Sequence, residues 1–93
     1  MSKQDLVDAY NKLNEKHTFT PGQIVEWKRG MKNKRVDGPF VVVEVLSDPV
    51  LGMTDESGPP YFREPLDILL GHCDNVGDFV VYHYDSRRFQ SAD

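Results

Sequence analysis

A chain of 93 residues with 39% apolar and 28% charged side chains holds one domain with a modest core, and it excludes both a second domain and a disordered polypeptide. No apolar run approaches the ~20 residues that a bilayer crossing needs, and the single cysteine, Cys73, excludes an internal disulfide. The net charge of −4 is unevenly spread: Lys28, Arg29, Lys32, Lys34 and Arg35 crowd into eight positions, whereas Val36 to Ser86 carries ten carboxylates against Arg63 alone.

The chain opens with a helix signal. Ser2 followed by Asp5 reads as a capping box, and Leu6, Tyr10 and Leu13 recur at helical spacing with Val7 and Ala9 beside them. The pattern predicts a helix from about Lys3 to Lys16, with Asp8 and Lys12 as a supporting pair and the apolar stripe docked on the rest of the domain. Pro21-Gly22 ends this region. Gln23–Lys28 then alternates as a strand, with Val25 and Trp27 on one face. Arg29–Pro39 is polar, basic and bracketed by glycines, hence a loop. Phe40–Leu46 (FVVVEVL) is the strongest strand and is expected at the centre of the sheet. Ser47–Pro60 reads as a second long loop. Leu66–His72 and Phe79–Tyr84 are two further strands joined through the tight turn Asp74–Asp78, so they should form a hairpin. A turn at Asp85 leads to a brief closing strand near Phe89, and 90–93 is a tail.

The expected fold is therefore mainly β (α+β) in a single domain, 1–93. Residues 1–18 supply the helix, and 19–89 fold into a four- or five-stranded, strongly bent antiparallel sheet that closes as an SH3-like small barrel.

Two loops frame the expected binding groove: the basic loop and Ser47–Pro60, the latter leading to the aromatic pair Tyr61-Phe62. Lys28, Arg29, Lys32, Lys34 and Arg35 are the residues with which a small barrel would grip RNA phosphates, while aromatics stack on bases. An acidic chain repels bulk polyanions, so this contact is the alternative to a protein or peptide partner. In Asp85-Ser86-Arg87-Arg88-Phe89, one arginine is expected to pair with a carboxylate such as Asp78 or Asp67 while Phe89 plugs the core; an exposed Arg-Arg-Phe would instead anchor a partner. His72, Cys73, Asp74, His83 and Asp85 would suit a metal or a cysteine nucleophile only if the hairpin brought the two histidines together. Their spacing follows no zinc pattern, and no metal or cofactor is expected.

Several of these segments also carry a resemblance. Phe19-Thr-Pro-Gly-Gln-Ile-Val-Glu-Trp-Lys28, the strand Phe40–Leu46, Tyr61-Phe-Arg-Glu-Pro-Leu-Asp67, Gly77-Asp-Phe79 and the closing Asp85-Ser86-Arg87-Arg88-Phe89 resemble a group of small uncharacterised bacterial proteins. The likeness spans about Phe19 to Phe89; it implies a bacterial or phage origin and no particular chemistry. The Pro-Gly-x-x-Val-x-Trp entry is similar to the first strand of SH3-like barrels. Together these readings predict a cytoplasmic, non-enzymatic interaction module that meets its partner through Trp27, Lys32, Arg35, Tyr61, Arg87 and Arg88.

Overall fold

Ser2 starts the first element as the sequence predicts. Its hydroxyl accepts from the Asp5 amide and the Asp5 carboxylate accepts from the Ser2 amide, both at 3.1 Å, which launches α1 (Lys3–Asn14). These bonds hold the Asp5 carboxyl below its ordinary range. In the computed structural model, which describes residues 2–51 and 64–92, α1 is followed by β1 (Ile24–Trp27), β2 (Phe40–Leu51), β3 (Pro65–Cys73), β4 (Phe79–Tyr84), a single 3-10 turn (Ser86–Arg88) and β5 (Phe89–Ser91). No helix among the described residues is long and apolar enough to cross a membrane.

The five strands form one antiparallel sheet in the order β4-β3-β2-β1-β5. β2 is central, as its β-branched run predicts. The sheet is not closed: β4 and β5 are its two edges and do not pair, so the expected barrel is an open, curled sheet. Its inner face carries the core, formed by Val25, Phe40, Val42, Ile68, Leu70, Tyr84 and Phe89 with Phe19 at one end. Trp27 packs against this cluster, 4.3 Å from Phe89 in a stacked pair and edge-on to Phe40 and Tyr84 at 5.9 Å. Four aromatic rings meeting in offset and edge-on pairs add to simple area burial.

Two expectations about the elements are corrected. β2 runs on to Leu51, past the Asp48-Pro49 pair that reads as the start of a loop. Its pairing with β3 shifts between Val45 and Val50, so Pro49 sits in an irregular stretch where its missing N–H is tolerated. The rest of the Ser47–Pro60 loop lies outside the described residues. The helix also departs from expectation. It stops at Asn14, and most of its apolar stripe faces outward: Leu6 is 60% and Tyr10 67% exposed, while Ala9 and Leu13 are half-buried. Asp8 accepts from Gln4 and Lys12 donates to the Arg29 carbonyl, so the two do not pair with each other.

What holds the helix is Lys28. This residue is only 2% exposed, and its ammonium donates to the carbonyls of Lys12 at 2.6 Å and Glu15 at 2.9 Å. Both lie at the C-terminal end of the helix, where carbonyls lack the full set of intrahelical donors; the Lys12 carbonyl also accepts a 3.3 Å bond from the Glu15 amide. The long alkyl stem is buried while the charged tip caps the helix. Burial pushes the Lys28 ammonium below its ordinary pKa.

Candidate functional site

The basic loop starts where β1 ends. The Lys28 amide donates to the Arg88 carbonyl at 2.8 Å and the Met31 amide to the Lys28 carbonyl at 3.0 Å, so the chain turns at once, with Gly30 at φ +81. Met31 is buried beneath the loop. Farther on, the Trp27 indole donates to the Val36 carbonyl at 2.6 Å and ties the outgoing limb to the core. Gly38 turns the chain at φ +82, and a Cβ there would collide with the Phe40 ring, so the approach to β2 requires glycine.

The other wall of the site is the β3–β4 turn. Its three-residue loop closes with the Gly77 amide donating to the Asp74 carbonyl, Gly77 at φ +90, and the Asp74 amide donating to the Asp78 carbonyl at 2.8 Å. The Asp74 carboxylate accepts from the amides of Val76 and Asp78, so that carboxylate is spent on the turn. Between the two walls lies a cleft of about 730 Å³, bounded by 35–39 on one side and 72–75 on the other. Val36, Pro39 and the His72 ring give it an apolar side. His72 meets Phe40 edge-on at 5.5 Å, and its Nδ1 is buried with no hydrogen-bond partner among the described residues. Arg35, at the rim, is exposed and makes no ion pair among the described residues.

The structure separates the residues that the sequence groups together. Of the five basic residues, Lys28 is buried under the helix and is not available to a phosphate. Lys32 is ion-paired with Asp37. Arg29, Lys34 and Arg35 are exposed. Trp27 is half-buried in the aromatic cluster, and its N–H is already used. Tyr61 lies outside the described residues.

Arg87 and Arg88 face inward to carboxylates, though neither pairs with Asp67 or Asp78. Arg87 makes a fork to Asp85, with Nε 3.1 Å and 3.2 Å from the two carboxylate oxygens and Nη2 2.8 Å from one of them. Asp85 is 3% exposed. Burial pushes its carboxyl up, but the side-chain and backbone hydrogen bonds from Arg87 outweigh that and hold it below the ordinary carboxylate range. Arg88 pairs with Glu64 and donates to the Met31 carbonyl at 3.0 Å. Asp67 takes a different role and accepts from the amide and hydroxyl of Ser86, each at 2.8 Å. Glu64 also accepts from Asn33 at 2.9 Å, so the chain entering β3 is fastened to the basic loop.

The histidines do not meet. Leu69 is opposite His83 and Val80 is opposite His72, which puts the two imidazoles on opposite faces of the sheet. Among the described residues no group of three or more His, Cys, Asp or Glu side chains is placed to hold a metal ion. Sequence reasoning missed Glu64 and Lys28, whose roles depend on contacts 24 and 16 positions away.

No protein-family model, curated protein sequence or solved structure matches the chain.

Proposed function

We propose that the protein is a non-enzymatic interaction module of the cytoplasm, built on an SH3-like curl of its sheet, that grips an extended segment of a protein partner in the cleft between 35–39 and 72–75. The cleft carries the reading. It is large enough for a short peptide, has an apolar wall at Val36 and Pro39, and bears at its rim a guanidinium that no carboxylate among the described residues neutralises. The complementary ligand is a peptide with a carboxylate next to an apolar side chain. Support for the SH3-like arrangement comes from the strand order, the 3-10 turn that links β4 to β5, and the 5.4 Å approach of Tyr84 to Phe89 across the two edges. Trp27 serves this site by holding the Val36 carbonyl and Arg35 by contact, while Arg87 and Arg88 brace the fold away from the cleft. Lys32 holds Asp37 on the cleft wall, and Tyr61 is proposed as an aromatic anchor at the end of the second loop.

Titrating labelled protein with acidic peptides that carry one apolar residue should shift the amides of Val36, Gly38, His72 and Asn75. Arg35→Glu should abolish those shifts while leaving the fold intact. Saturating peptide that leaves these amides unmoved would refute the reading. One observation favours a second reading: Arg29, Lys34 and Arg35 are exposed cations on one loop, a small phosphate-binding set. An RNA oligonucleotide whose affinity falls steeply with added salt, and falls again in Lys34→Ala, would select it over the peptide.

A further inference from the structure

β4 is an outer strand of the sheet, and among the described residues no strand pairs with its free side. Natural proteins blunt such edges with lysine, proline, a bulge or a very short strand. β5, the opposite edge, is three residues long. β4 has none of these protections. Its six residues, FVVYHY, contain no lysine or proline, and its register with β3 runs from Ile68↔Tyr84 to Cys73↔Phe79 without a shift. Its side chains are wet and apolar, with Phe79 57%, Val81 40% and Tyr82 54% exposed.

The hydrogen-bond alternation fixes which backbone groups this edge offers. In an antiparallel pair, residues alternate between bonding to one neighbour and pointing away from it. Val42 bonds toward the β1 side, donating to the Gln23 carbonyl and accepting from the Gly22 amide. Val41 therefore bonds to its β3 partner Gly71, and the neighbours of Gly71, Leu70 and His72, bond to Tyr82 and Val80 of β4. The Asp74–Asp78 hydrogen bond at the turn gives the same phase. It follows that Phe79, Val81 and His83 aim their N–H and C=O groups out of the sheet.

We infer that this edge docks a second copy of the same chain, β4 against β4, antiparallel about a two-fold axis at Val81. An axis perpendicular to the sheet puts Val81 opposite its own counterpart and Phe79 opposite the second copy's His83, so the outward-pointing backbone groups of one strand meet those of the other. The same register keeps inner face beside inner face, with Val80 next to the second copy's Tyr82. Local charge does not oppose this register. In a chain of net charge −4, Asp78 falls opposite Tyr84 of the second copy and Asp85 opposite its Gly77, so no carboxylate confronts another. An edge of ~20 Å makes a small interface, so the dimer is weak and forms with rising concentration.

Amide hydrogen exchange and sedimentation at micromolar and millimolar concentration test this. Val80, Tyr82 and Tyr84 should be protected at both concentrations. Phe79, Val81 and His83 should exchange freely in the dilute sample and about tenfold or more slowly in the concentrated one, while the sedimenting mass moves toward two chains. Val81→Pro removes an N–H that β3 does not use, so it should give a folded monomer throughout. If proline disrupts the strand, Val81→Lys, which sets two ammonium groups face to face at the axis, should weaken association at least tenfold with the fold kept. A single-chain mass at millimolar concentration overturns the inference. So does a dimer that persists in folded Val81→Lys, or concentration-independent exchange at the three outward amides.

Discussion

Two short cationic runs, 28–35 and 85–89, end up in opposite situations. In the second, each arginine finds a carboxylate with low exposure: Arg87 forks onto buried Asp85, and Arg88 reaches Glu64 and the Met31 carbonyl. In the first, Lys28 is drawn under α1, Lys32 takes Asp37, and Arg29, Lys34 and Arg35 stay in water. The difference lies in what surrounds each run. Arg87 and Arg88 ride on a 3-10 turn beside the aromatic cluster, where an unpaired charge would be costly, so each is matched. The loop after β1 has room to face solvent. Arg29, Lys34 and Arg35 of the first run are therefore available for recognition, whereas both arginines of the second brace the fold.

Substitutions that test this contrast should rank by how much packing or charge pairing each removes. Phe89→Ala, at the centre of the aromatic cluster and 0% exposed, should cost about 3–5 kcal/mol in chemical denaturation. Asp85→Asn should cost about 2 kcal/mol, because it leaves the Arg87 guanidinium half-buried beside a neutral amide. Asp85 also sets a pH signature. Its carboxyl is depressed in the fold, so between the folded and unfolded pKa values the unfolded chain binds more protons and stability rises with pH. That contribution is complete above the unfolded value of about 4 and drains away as pH falls through the folded one. Wild type should lose stability there, and Asp85→Asn should show a flatter acid limb. Lys28→Met keeps the buried stem but takes the ammonium donor from the Lys12 carbonyl and from that of the C-cap residue Glu15; about 1 kcal/mol and fraying of the last turn of α1, seen in amide exchange, should follow. Lys34→Ala, with no partner to lose among the described residues, should stay within about 0.5 kcal/mol of wild type.

How much of this was legible depends on how local the cause is. The capping box, the central place of Phe40–Leu46 and the β3–β4 hairpin rest on residues a few positions apart, and all are found. The burial of Phe89 is found too, because an aromatic in a brief strand after a turn has few other uses. The reach of β2 to Leu51 was hidden because Asp48-Pro49 is turn chemistry that an irregular pairing absorbs. The outward stripe of α1 was hidden because periodicity reports that a helix has an apolar face, not what meets it. Lys28 reads as the first residue of a basic loop. Its real task depends on a helix end folding back over β1, and nothing in the neighbouring residues announces that. The cleft at 35–39 and 72–75 was likewise out of reach, since it joins a loop to a turn that the sequence keeps far apart.

Both arginines of the second run brace the fold, whereas Arg35 of the first stands free in solvent, and urea unfolding of Arg88→Ala beside Arg35→Ala separates the two situations. Removing Arg88 takes from Glu64 its charged partner, leaving the Asn33 amide, and strips the Met31 carbonyl of its donor; it should lower stability by about 1.5–3 kcal/mol, whereas removing Arg35 should change it by less than about 0.5 kcal/mol. Equal losses, or a larger loss at Arg35, would contradict the account.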